Sequence, residues 1–252
     1  MDEPDQAQLL RHLAQAVATA DPDAPLSLRL CLACTSILDL QGGSLTLAYE
    51  DSGRTTLCVT DEHAARVEDL QEVLGEGPSY AASREGRLVA VAVDGGADER
   101  WPLFSQAVVQ ALGGPCTVVA VPISPGDRLL GVATFYRRRQ DLSLPLPAET
   151  VRLLVDAIGM ALSQTDAEDD ALQQQAGSWT ERAQINQAVG MVMAQLRVRP
   201  TDALALLRAH AYAHATSLGQ IAADVVARRL DFKRTDAVRP VEDRQRGGEE
   251  ER

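Results

Sequence analysis

An α+β domain with an antiparallel sheet, followed by a small all-α three-helix module, is the architecture this sequence predicts. Three observations lead there. Short alternating apolar segments come as an early and a late hairpin-like pair, with helical segments between them. Beyond residue 180 the alternation gives way to three consecutive amphipathic stripes at helical spacing. Charge divides at nearly the same place: residues 178–234 hold eight Lys and Arg against four Asp and Glu, in a chain whose net charge is −12. A small basic module on an acidic body is the asymmetry expected when one end meets a polyanion.

Taken in order, Leu9, Leu10, Leu13 and Val17 predict a first helix, which Asp21-Pro22-Asp23-Ala24-Pro25 breaks. A buried helix follows over Leu26 to Leu38. Gly42-Gly43 leads into an alternating strand, Ser44 to Tyr49, and the turn Asp51-Ser52-Gly53 returns the chain as a second strand, Arg54 to Thr60. Ala64 to Leu74 predicts a helix ending at Gly75, and Leu88 to Val93 a third strand. Trp101 to Leu112 reads as a helix closed by Gly113-Gly114-Pro115. Thr117 to Pro122 and Arg128 to Tyr136 form the last hairpin, turned through Pro125-Gly126-Asp127.

After Pro145 and Pro147 comes a longer helix whose Val151, Leu154, Val155, Ile158, Ala161 and Leu162 form a stripe. A stripe this short suits either a pairing seam between two copies or packing on the sheet. Residues 166–177, acidic and Gln-rich, read as a solvated connector. In the module, Ile185, Ala188, Val189, Val192, Met193 and Leu196 line the first helix. Pro200 starts the second, with Asp202 in its first turn and Ala203, Leu206, Leu207 and Ala211 buried. Ser217 and Gln220 form a capping box for the third, whose stripe is Leu218, Ile221, Ala222, Val225 and Leu230. The domain organisation is therefore a sensor-like domain over 1–147, a connecting helix and linker over 148–177, the module over 178–234 and a disordered tail over 235–252.

At 252 residues the chain can bury one sizeable core and a small second one. No apolar run approaches the roughly 20 residues of a membrane span, and the acidic Met1-Asp2-Glu3 start is unlike a signal peptide, so a soluble cytoplasmic protein is expected. No phosphate loop, nucleophile elbow or metal triad is present, so neither an enzyme nor a cofactor is expected. Cys31 and Cys34 form a C-x-x-C that invites a redox or metal reading, but their apolar helix favours burial. His210 and His214, one helical turn apart, lack a third ligand in sequence reach. Trp101 is either a ligand-pocket wall or a buried anchor.

The segments Ile185 to Met193, Asp202 to Ala211 and Ile221 to Val226, with their order of small and large residues, resemble an ANTAR domain. Leu74-Gly75-Glu76-Gly77-Pro78, Arg100-Trp101-Pro102 and Leu130 to Tyr136 resemble a GAF sensor domain of the kind found in actinobacterial GAF–ANTAR proteins. The resemblance implies a dimeric regulator that binds tandem stem-loops in nascent mRNA and prevents a terminator hairpin, with a GAF-like domain taking an unknown small-molecule signal. Sequence departs from the ANTAR pattern at three places: Val189 replaces a frequent Lys, Leu204 a frequent aromatic, and Arg199 a usual helix-capping residue.

An RNA stem asks for cations on a rigid face and for small residues that admit its backbone, while loop bases ask for stacking surfaces. Arg182, Arg208, Arg228 and Arg229 are the candidate phosphate contacts; Ala188, Gly190 and Ala205 are the candidates for close approach. Solvated helix faces account for any one of these Arg, and helix packing for any one of the small residues. The rival function is a ligand- or redox-sensing protein whose C-terminal helices bind a protein partner and not RNA.

Overall fold

The computed structural model describes residues 3–48, 54–96, 98–164 and 170–233. The predicted turn at 51–53 and the predicted disordered tail at 235–252 lie outside the described residues.

Helices α1 (Glu3–Thr19) and α2 (Leu26–Ile37) precede the hairpin β1 (Gly42–Ala48) and β2 (Arg54–Val59). Helices α3 (Glu62–Leu74) and α4 (Pro78–Glu85), strand β3 (Val89–Val93) and helix α5 (Pro102–Leu112) come next. Strands β4 (Cys116–Ile123) and β5 (Gly131–Arg137) form the late hairpin, and α6 (Ala148–Gln164) closes the domain. The five strands run antiparallel in the order β2-β1-β5-β4-β3, so the early and late hairpins meet at β1 and β5.

The sheet is covered on both faces. Along β4 the side chains alternate: Val119, Val121 and Ile123 enter one core, Cys116, Val118 and Ala120 the other. The first core is closed by Leu9, Leu13, Leu30, Cys31 and Cys34 from the N-terminal helices and by Val151, Leu154, Val155 and Ile158 of α6. The second is closed by Val67, Ala81, Phe104, Val108 and Leu112 from α3, α4 and α5. The four α6 residues are fully buried against the sheet, so the stripe proposed as a pairing seam is consumed within the chain.

Two glycines permit the central strand contact. A Cβ on Gly131 would overlap the carbonyl oxygen of Thr46 and lie 2.9 Å from Leu47 Cα. A Cβ on Gly43 would overlap the ring of Phe135, its cross-strand partner, which lies across the bare backbone there.

Sequence reading missed α4. It is one short helix, entered by Pro78, ended at Gly86 (φ 63) and carrying little apolar periodicity. The connector predicted over 166–177 extends too far: from Asp170 the backbone is helical and continues to Leu196 as α7. Gln and Ala are good helix formers, so a polar composition there did not prevent a helix.

A polar knot ties α3 to the sheet. Asp61 caps α3 by accepting from Ala64 N–H at 2.9 Å, accepts from Tyr136 Oη at 2.9 Å and from Thr60 Oγ1 at 2.8 Å, while Thr60 Oγ1 accepts from Gly43 N–H. Burial pushes the Asp61 carboxyl up, but those hydrogen bonds outweigh it and hold the group below its ordinary value. A depressed folded value gives stability that is complete above the unfolded carboxylate range and is lost as pH falls through the folded value. Asp61→Ala is expected to cost about 2 kcal/mol, from the lost cap and the lost phenol bond. Urea melts at pH 7 and pH 3 check it: the variant's deficit should be large at neutral pH and shrink in acid.

Candidate RNA interface

The C-terminal module is built from α7 (Asp170–Leu196), α8 (Pro200–Ala213) and α9 (Leu218–Val226). Ala188 and Val192 of α7, Ala203, Leu207 and Ala211 of α8, and Leu218, Ile221, Ala222 and Val225 of α9 form a third core. The helix signals act as sequence chemistry requires. Pro200 occupies the first turn of α8, and Ser217 Oγ accepts from Gln220 N–H at 3.2 Å to start α9. The reciprocal half of that capping box is absent, because the Gln220 side chain turns to Asp224 instead. Arg199 stands at the cap of α8 without a capping bond, as expected of its chemistry, and pairs with Asp202 at 3.1 Å.

The candidate contacts separate by burial and position. Gly190 and Ala205 are exposed, and a Cβ on Gly190 would meet nothing within 4 Å, so both leave open helix surface. Arg228 and Arg229 are exposed beyond α9, Arg228 in a left-handed conformation (φ 57) and Arg229 bonded to Asp224 at 2.6 Å. Ala188 is fully buried in the module core: its small side chain lets helices pack, so it is removed from the candidate contacts. Arg182 lies on the α7 backbone, with its side chain outside the described residues.

Arg208 is the informative case. It does not stand free on α8 but packs against the C-terminal end of α3, its Nη1 3.2 Å from where a Cβ on Gly75 would sit. Its Nε is buried without a hydrogen-bond partner among the described residues. Gly75 (φ 66) caps α3 in the left-handed conformation, so the guanidinium lies at the negative end of that helix. On the same side Val73 of α3, 6% exposed, is counted in the module's core and not in the sheet's. Helix α3 touches both α8 and α9, and α7 touches edge strand β2. A cleft of about 150 Å³ there is lined by Arg54, Thr55, Thr56 and Glu68 of the α+β domain and by Ile185 of α7. The module is thus docked on the domain through the face that carries Arg208.

Two features escaped sequence reading. Tyr212 is 49% exposed on α8, an aromatic on the outer surface of the same helix as Leu204, which stands where an aromatic is frequent. Its signal was available: residue 212 lies outside the Ala203–Leu207–Ala211 stripe. Exposed Arg197 (φ 57), Arg199 and Lys233 add three cations to the exposed candidates Arg228 and Arg229, and form a basic rim with them.

Elsewhere, Trp101 is buried in the second core at the start of α5, with the Arg100 guanidinium 4.5 Å over its ring, so it serves as an anchor. Cys31 and Cys34 are free thiols facing the first core, and burial pushes the Cys34 thiol well above its ordinary value. Among the described residues no group of three or more His, Cys, Asp or Glu could hold a metal, and no helix is long and apolar enough to cross a membrane.

Residues 173–226 match the family model of the ANTAR domain. No curated protein matches the chain. Similar solved structures include the GAF domain of A. Aeolicus nlh2 in an inactive state, at 12% identity and a TM-score of 0.43, over 64% of this chain and 97% of that one. The GAF domain from an Acinetobacter phosphoenolpyruvate-protein phosphotransferase is 15% identical, with a TM-score of 0.40, over 65% of this chain and 98% of that one. A third, the GAF domain of the Coxiella burnetii ptsP phosphotransferase, is 13% identical with a TM-score of 0.35 over 70% of this chain and 99% of that one. The fold assignment itself stands on the five-strand order and the two covered faces.

Proposed function

We propose that this chain, with its ANTAR domain at 173–226, is a signal-responsive regulator that binds stem-loop RNA in nascent transcripts and controls transcription termination. The observation that carries this reading is the placement of Arg208, a cation of α8 that the α+β domain covers. A signal taken up by the α+β domain shifts the balance between a docked module and a released one, and only the released one offers Arg208 to phosphate. The exposed rim of Arg197, Arg199, Arg228 and Lys233 holds the RNA backbone, Gly190 and Ala205 let it approach, and Tyr212 offers a face for an unpaired base.

No catalysis and no resident cofactor enter this scheme. Nascent mRNA places its work in the cytoplasm. Few phosphates per module give weak single contacts, so two copies of the chain on tandem stem-loops supply the avidity that one lacks. Since α6 spends its stripe on the sheet, the pairing surface of such a homodimer is to be sought elsewhere than that helix.

Filter binding of the full chain to a transcript with two tandem stem-loops, at two salt concentrations, tests the reading. Loop-dependent and salt-sensitive binding is expected. Tyr212→Ala should weaken it by about tenfold, the order of one lost base stack. Arg208→Ala with Arg228→Ala should lower the salt slope by about two. Binding no tighter than to plain duplex RNA would overturn the reading in favour of a protein partner.

A further inference from the structure

We propose that the groove between the C-terminal end of α8 and α9 takes a single unpaired RNA base carrying an exocyclic amino group, stacked on His214 and bonded to Asp224 and Gln220. This rests on the RNA reading above and names the part of the RNA that the groove reads.

The groove encloses about 380 Å³ and is lined by His210, His214, Thr216, Gln220, Asp224 and Arg229. That volume falls at the small end of the range of about 300–1,000 Å³ typical of ligand sites. Ile221 and Leu230 add apolar wall. The imidazoles of His210 and His214 stack with centroids 4.0 Å apart at 23°, and His214 Nδ1 lies 2.8 Å from the His210 carbonyl oxygen. Phe232 meets His210 edge-on at 5.5 Å, so His210 is the inner plate and exposed His214 the outer one. Burial, with His214 beside it, lowers the proton affinity of His210, which keeps the inner plate neutral at pH 7.

Asp224 supplies the polar reading group. Its Oδ1 accepts from Arg229 Nη2 at 2.6 Å, from Arg229 Nε at 2.9 Å and from Gln220 Nε2 at 3.3 Å. Those bonds orient the carboxylate and hold it ionised, while Arg229 offsets the charge that would repel RNA. A phosphate has no proton to give a carboxylate, whereas an amino-bearing base has; the groove therefore suits a base, and the exposed Arg228 and Lys233 beside it suit the phosphates. Uracil offers Asp224 only its N3–H, flanked by two carbonyl oxygens that the carboxylate repels, and is disfavoured against a base with an exocyclic amino group. The helical phase of α8 puts His210 and His214 on one flank of its buried Ala203–Leu207–Ala211 stripe and Arg208 on the other. The groove stays open while Arg208 is covered.

The full chain is titrated with tandem stem-loop transcripts whose loops contain A, C and G or are all uracil, and with transcripts carrying 2-aminopurine at single loop positions. Wild type is expected to prefer the loops that contain A, C and G and to change the fluorescence at one position. His214→Ala should cut that preference about tenfold, ~1.4 kcal/mol, abolish the fluorescence change and leave the salt slope unaltered. Gln220→Ala, whose backbone N–H still caps onto Ser217, should also cut the preference with the fold intact. RNA binding with an undiminished preference in both variants overturns the groove alone. No binding by wild type overturns the RNA reading and the groove with it.

Discussion

Val73→Asp is expected to release the ANTAR domain from the α+β domain and to raise RNA affinity about tenfold. Val73 lies in the last turn of α3 and is buried among the apolar residues of the module, so Asp there places an unpaired carboxylate in a closed apolar contact. Such burial costs several kcal/mol unless the contact opens. Opening uncovers Arg208, whose Nε has no hydrogen-bond partner among the described residues in the docked arrangement and gains one from phosphate. If the released form is about one tenth of the wild-type population, full release multiplies apparent affinity by about ten. Filter binding measures the gain, and hydrogen exchange of the α8 amides checks that undocking caused it. A tenfold loss instead would mean that Val73 supports the binding-competent module and that docking is the active arrangement.

Much of this architecture could be read in the sequence because its elements obey local rules. Strand β4, covered on both faces, reads as a continuous apolar run, and its side chains enter the two cores in turn from Cys116 to Ile123. Helix ends carried chemical marks: Gly75 and Gly113 are left-handed caps, and Ser217 is a capping side chain. Helix α4 lacked such periodicity and was invisible. The α6 stripe was ambiguous because pairing with a second chain and packing on a sheet ask for the same apolar face; the neighbouring β-strands decide, and periodicity does not contain them.

The interface was legible in composition and less so in detail. Small residues serve helix packing and RNA approach equally well, so only burial separates Ala188 from Gly190 and Ala205. The docking of Arg208 on Gly75 joins residues more than a hundred positions apart, which no local pattern encodes. The Gly75 signal was read as a helix stop, and correctly, yet the same bare Cα is what admits the guanidinium.

Phe135→Ala is expected to produce the largest loss of stability, about 3–5 kcal/mol. The ring is fully buried in the first core and lies over Gly43 of the neighbouring strand, so its removal opens a cavity that neither bare glycine backbone nor α6 can refill. For an α+β domain of this size the melting temperature should fall by roughly 10 °C. The consequence extends beyond the sheet. A helical module of this size has little core of its own, and here α3 lends it Val73. Loss of the sheet frees α3, so the module is expected to melt together with the domain and not after it. Hydrogen exchange in the variant distinguishes the cases. Parallel acceleration of the β4 and α9 amides would establish one cooperative unit, through which a signal at the sheet can reach Arg208. Acceleration confined to β4 and β5 would make the ANTAR domain an independent folding unit and leave the α3 contact as a purely reversible clasp.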